Sequence, residues 1–157
     1  MVLSERLPML YYEDIETNIV QKFGSYEVTR EEVIEFASKY DPQPFHLDDD
    51  AAAKTYFGRL SASGWHTAAM AMRMLVDHAS INKQAGLGSP GVENLRWLQP
   101  VYPGDTLRCE HVTLDKRRSE SRPEMGLLKA MMTVFNQHDD KVMTMESTAL
   151  IEVRGDR

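Results

Sequence analysis

The segment Asp41-Pro42-Gln43-Pro44-Phe45-His46 places a carboxylate and an imidazole close together on a stretch stiffened by two prolines. Each proline fixes its own φ, so such a loop can hold Asp41 and His46 toward one point, whereas a helix would send them apart. A carboxylate beside an imidazole is an acid–base pair able to hold and deprotonate a water molecule. A helix before this loop would end at Asp41, where the dipole disfavours negative charge and is expected to raise the carboxyl pKa. The same residues also fit a plain reading, in which Asp41-Pro42 ends a helix in a turn and His46 satisfies a backbone group beneath Asp48. Spacing alone leaves both open.

A second segment, Ser63-Gly64-Trp65-His66-Thr67, stands where a loop becomes a long apolar helix. Gly64 has no side chain, so a ligand can approach its backbone N–H, and a helix N-terminus adds partial positive charge there. Such a donor suits a thioester oxygen that becomes an enolate-like oxyanion. The alternative is a glycine that lets helix and sheet pack closely. His66 with His46 and Asp41 would be a metal set, but the tight His/Glu helical spacing of zinc hydrolases does not occur, and no metal is expected. His78, His111 and His138 read as surface or strand-edge residues, and the ten methionines as core fillers.

The elements that must position these groups follow from local signals. Thr29 and Glu32 make a capping box for a helix starting near Arg30, with Val33, Phe36, Ala37 and Tyr40 at helical spacing, and Pro42 stops that helix at Asp41. Asp48, Asp49 and Asp50 suit the start of a short helix through Ala53 that ends before Gly58. From Trp65, residues Ala68, Ala69, Met72, Leu75, Val76 and Ala79 fall three and four apart, while Met70, Ala71 and Met74 fill the other side. A helix apolar on nearly every side is expected to be surrounded by protein. Strands are predicted at 23–29, 92–98, 105–114, 127–137 and 142–153. A glycine-rich loop (Gly86, Gly88, Pro90, Gly91) precedes the second, and turns lie at Pro103-Gly104-Asp105, 115–124 and His138-Asp139-Asp140. In 142–153, Met143, Met145, Ser147, Ala149 and Ile151 share one face against Thr144, Glu146, Thr148 and Glu152, as in a half-buried antiparallel strand. The pattern predicts an α+β fold, an antiparallel sheet wrapped around a long central helix.

Composition bounds the function. With 157 residues, 42% hydrophobic and 27% charged, the chain is expected to be a single domain over 1–157, with residues 1–20 as an extension or edge segment. A net charge of −6 argues against nucleic acid, since the only dense basic cluster is Lys116, Arg117 and Arg118 with Arg122 beyond. The single cysteine, Cys109, excludes an internal disulfide and a multi-cysteine zinc site; it reads as a small buried hydrophobe in a strand and fits a reducing compartment. Met1–Met9 carries Glu5, Arg6 and Pro8 where a signal peptide needs an apolar run, and no stretch reaches the ~18 apolar residues of a membrane span. A soluble, cytoplasmic protein without a membrane partner is expected.

Taken together, Asp41 to Asp48, Phe57-Gly58, Ala62 to Thr67, Val92-Glu93-Asn94-Leu95-Arg96-Trp97 and Pro100 to Asp105 resemble the MaoC-like dehydratases, in that family's order, from about Phe23 to the C-terminus. These are hot-dog-fold relatives of the (R)-specific enoyl-CoA hydratases. The family motif is Asp-x-Asn-Pro-x-His; Asp41, Pro44 and His46 match it, while Gln43 stands in place of Asn with a longer reach. The resemblance implies a single hot-dog domain with Asp41 and His46 as the catalytic pair and Gly64 as the oxyanion donor. Gln43, Phe45, Ser63 and Trp65 become candidate substrate contacts. The implied reaction is reversible syn addition of water to a trans-2-enoyl-CoA, giving the (R)-3-hydroxyacyl-CoA, with no cofactor besides the CoA carried by the substrate. It also implies a homodimer, or a higher homo-oligomer, joined at sheet edges. Lys116, Arg117, Arg118 and Arg122 are candidates for the CoA phosphates, with a solvated hairpin as the plain reading. Arg59 follows Phe57-Gly58, where many relatives carry a small residue. A hot-dog acyl-CoA thioesterase and a non-catalytic acyl-thioester-binding subunit are the competing functions.

Overall fold

Alternation of apolar and polar residues in the C-terminal third builds the centre of the sheet. In the computed structural model, which describes residues 7–155, Leu107 and Cys109 on β3 (Thr106–Arg118) are buried together with Leu128, Ala130, Met132 and Val134 on β4 (Met125–Phe135) and Met143 and Met145 on β5 (Lys141–Glu152). β3, β4 and β5 form an antiparallel meander. Its edges are closed by strands from earlier in the chain, β1 (Val20–Glu27) on β3 and β2 (Gly86–Trp97) on β5, giving the order β1-β3-β4-β5-β2. The long helix α3 (Gly64–Ile81) lies against β1 and β3. It crosses β1 at Gly24, whose φ of +88° and missing Cβ make room for the Met74 side chain. This is the α+β hot-dog arrangement expected from the sequence. The reading of Met1–Met9 and of residues 1–20 rests in part on residues 1–6, which lie outside those described.

The helices begin where the local signals place them. Thr29 caps α1 (Arg30–Tyr40) by accepting the Glu32 amide, and Asp48 caps α2 (Asp49–Ala53) by accepting the Ala51 amide. The capping box at Thr29 is only half formed, because the Glu32 carboxylate bonds instead to the Tyr26 hydroxyl and to His66.

Three expectations need correction. The glycine-rich segment 86–91 is not a loop but the first half of β2, paired with Thr148, Leu150 and Ile151 through register shifts. A sheet edge tolerates such bulges and the missing donor of Pro90, because one side of the strand needs no partner. Nor is α3 surrounded within this chain. It buries His66, Thr67, Met70, Ala71 and Met74, but leaves Trp65 and Met72 exposed and Val76 at 50%. β3 also runs on through Lys116, Arg117 and Arg118, which the sequence reading places in a turn. Among the described residues no helix is long and apolar enough to cross a membrane.

Cys109 is fully buried in this core, and desolvation pushes its thiol up to about 12. The native protein is therefore expected to resist thiol reagents at pH 8 and to titrate one thiol only after unfolding. Rapid native labelling would show the core to be more open than described.

Candidate active site

The loop after α1 is held from both sides. Asp41 closes α1, its amide donating to Ala37 O at 2.9 Å, and a single 3-10 turn, Pro44–His46, follows. His46, which is buried, donates its Nδ1–H to the Ser61 carbonyl at 2.7 Å. A carbonyl can only accept, so the proton sits on Nδ1 and Nε2 is left as an acceptor. The Leu60 amide is bonded to Asp49 and the Ala62 amide to the Val101 carbonyl, which ties the segment leading into α3 to the same loop. The plain reading of His46, satisfying a backbone group, thus holds for one nitrogen and leaves the other free for chemistry.

Asp41 gathers the remaining donors. Its Oδ1 accepts from Gln43 Nε2 at 2.7 Å, and its Oδ2 accepts from the Ser63 hydroxyl at 2.6 Å and lies 3.5 Å from His46 Nε2. Burial pushes the Asp41 carboxyl up, but the hydrogen bonds from Ser63 and Gln43 and the neighbouring His46 outweigh it, and the net shift is downward. This overturns the raised pKa expected from the helix C-terminus. Donors delivered by two side chains act on the carboxylate more directly than the dipole.

Ser63 precedes the first residue of α3, yet its hydroxyl does not cap that helix. Committed to Asp41, it leaves the first N–H groups of α3 without a side-chain acceptor. Gly64 is the first of these residues, and Trp97 from the end of β2 packs directly over it: a Cβ on Gly64 would lie 2.5 Å from the indole ring. The packing reading of this glycine is therefore realised, and Gly64 also lines the cavity beside Asp41.

Asp41, Gln43, Phe45, His46, Gly64 and Trp65 all line one cavity of 440 Å³, and Ser63 reaches it through Asp41. Phe45 stacks on Phe57 and meets the His46 ring edge-on, while Trp65 stands edge-on to Trp97. Sequence reasoning missed Tyr56, Phe57, Thr67, Trp97 and Val101 as lining residues. The Trp97 and Phe57 segments were visible as blocks, but nothing local says they turn toward Asp41.

His66 does not join this cluster. It bonds Glu32 at 3.0 Å and stacks on Phe36, tying α1 to α3 on the far side. The Glu32 bond also pushes the Tyr26 hydroxyl up to about 12. His78 and His111, expected at the surface, are half-buried and line a separate 550 Å³ apolar cavity between α3 and the sheet with Met72, Leu75 and Met145. Desolvation lowers both imidazole pKa values. The basic cluster lies elsewhere: Lys116 is bonded to Tyr12 O and Arg118 to Glu13, at the opposite end of β3, a strand about 40 Å long.

Comparison with known proteins gives a consistent family. The family described as "MaoC like domain" matches residues 14–134. The chain is similar to YdeM, an uncharacterized protein of Bacillus subtilis (strain 168), at 30% identity over 133 residues, covering 85% of this chain and 92% of that one. Among solved structures it is similar to the MaoC-like dehydratase from Rhodospirillum rubrum, with 36% identity and a TM-score of 0.85 over 94% of this chain and 99% of that one. An unliganded R-hydratase from Pseudomonas aeruginosa shares the fold at 22% identity, with a TM-score of 0.67 over 94% of this chain and 92% of that one.

Proposed function

The chain belongs to the MaoC-like domain family, and on that premise, with solved structures described as a MaoC-like dehydratase and an R-hydratase among those it is similar to, we propose that it adds water reversibly to a trans-2-enoyl-CoA, giving the (R)-3-hydroxyacyl-CoA. The observation that carries this reading is the placement of two acceptors, Asp41 Oδ2 and His46 Nε2, 3.5 Å apart on a cavity that also holds the Gly64 amide. A water molecule has two O–H bonds. One can point to the carboxylate and one to the imidazole, which leaves an oxygen lone pair for the substrate.

In the forward direction that oxygen bonds to the β-carbon and its proton passes to Asp41. The electron pair of the double bond shifts toward the thioester, whose oxygen gains charge and takes a hydrogen bond from the Gly64 N–H at the α3 N-terminus. One proton returned from the Asp41–His46 pair to the α-carbon on the same face completes a syn addition and restores the carboxylate. Gln43 and Ser63 hold the carboxylate in place, and Phe45 and Trp65 shape the acyl path. The CoA of the substrate is the only coenzyme in this scheme.

The edge strand β2 is exposed along nearly its whole length, and beside it Met72 and Val76 of α3 are open. These features support a homodimer that covers both. The lone buried cysteine supports a cytoplasmic setting.

Incubation with a short trans-2-enoyl-CoA should lower the conjugated thioester absorbance to an equilibrium level and yield the (R)-alcohol on chiral analysis, from a protein with dimer mass in light scattering. Release of free CoA thiol without hydration would instead identify a thioesterase. Binding of acyl-CoA without turnover would leave a carrier subunit.

A further inference from the structure

We propose that Arg59, held over the Tyr102 ring beside the Asp41 cavity, binds a phosphate group of the CoA carrier; this rests on the hydration reading above. The Arg59 guanidinium carbon lies 3.9 Å from the centre of the Tyr102 ring. Tyr102 is itself fixed, its hydroxyl donating to the Phe57 carbonyl at 2.8 Å. Phe57 and Val101, the residue before Tyr102, both line the cavity. The Arg59–Tyr102 pair is therefore tied to two residues of the cavity wall.

A cation–π contact engages the charge of the guanidinium without consuming an N–H donor, and a guanidinium with free donors suits two-pronged phosphate binding. Arg30, Arg73, Arg108, Arg118 and Arg154 are occupied by Asp49, Asp77, Asp139, Glu13 and Asp14. Arg96, Arg117 and Arg122 also form no ion pair among the described residues, but of these unpaired arginines Arg59 alone is held over an aromatic ring tied to the cavity wall. Among the described residues no carboxylate forms an ion pair with exposed Arg59. Asp49 feels its charge, but that carboxylate is already taken by Arg30 and the Leu60 amide. A protein of net charge −6 that takes up an anionic carrier needs local positive charge near the entrance. The cluster at Lys116 and Arg118 sits at the other end of the sheet and is committed to the Tyr12–Asp14 turn.

The test compares the wild-type chain with Arg59→Met and Arg59→Lys. Calorimetric titration with CoA should show about a tenfold weaker Kd for Arg59→Met and partial recovery in Arg59→Lys, which keeps the charge but loses the fork. The KM for an enoyl-CoA should rise about tenfold relative to that for the same enoyl group on N-acetylcysteamine, which carries no phosphate. Loss of the effect with 3′-dephospho-CoA assigns the contact to the 3′-phosphate, and its persistence assigns it to the diphosphate; both support the proposal. Equal CoA affinity in wild type and Arg59→Met, or no CoA binding by the wild type, overturns it. Should Arg59→Met fail to fold, weakened binding in Arg59→Lys carries the test, and wild-type affinity there overturns the proposal. CoA binding that depends on Arg59 without hydration of any enoyl thioester sinks the hydration reading and leaves this one standing.

Discussion

Asp41→Asn is expected to lower the hydration rate by about three orders of magnitude while leaving the protein folded. The amide has nearly the shape of the carboxylate. Its oxygen can still accept from Gln43, and its nitrogen can donate to Ser63, whose hydroxyl is able to accept. What it cannot do is take a proton from water, and its N–H would also compete for His46 Nε2. The loss should therefore fall on kcat. The carboxyl pKa is lowered in the folded state, so its ionised form stabilises the fold above the ordinary carboxylate range, and that contribution disappears as pH falls through the depressed value. The stability gap between wild type and Asp41→Asn should accordingly hold steady above about pH 5 and narrow below about pH 4. Turnover within tenfold of wild type would remove Asp41 from the reaction, and a gap as wide at pH 3 as at pH 7 would show that its folded pKa is not what sets it.

The second large effect is expected at Gly64. Alanine there places a methyl group against the Trp97 indole, which must swing away or push the start of α3 from the sheet. Both movements displace the Gly64 backbone from the cavity wall, and if its amide is the proposed donor a fall in kcat of about a hundredfold is expected, with a stability loss of about 1–3 kcal/mol. A double-mutant cycle separates packing from chemistry. In Gly64→Ala/Trp97→Ala the collision is gone, so stability should approach that of Trp97→Ala alone. If activity also returns to that level, the glycine serves packing only. If it stays low, the ligand needs the bare backbone.

What could be seen in the sequence depended on how local the cause is. Thr29, Pro42 and Asp48 act on their immediate neighbours, and the ends of α1 and α2 fell where those residues put them. The Asp41 loop was visible for the same reason. The direction of the Asp41 pKa was not, because the decisive donor is Ser63, 22 residues further on. Trp97 over Gly64 joins the end of one strand to the start of a helix, a contact that no short window reveals. Residues 86–91 misled in the opposite sense. Glycine and proline do mark loops in most settings, and only their place at the sheet edge makes them a strand.

The sheet order has a consequence for how the chain is made. The centre of the sheet, β3-β4-β5, comes from the last third, whereas every residue gathered around Asp41 comes from before it. A ribosome that has finished α3 at Ile81 must still synthesise through Glu152, which takes about 4–14 s at elongation rates of about 5–20 residues per second. During that interval the apolar face of α3 has no sheet to cover it. The helix that later carries the Gly64 amide is then a natural target for chaperones on the nascent chain, and slower translation of β3 to β5 would be felt as aggregation before it was felt as lost activity.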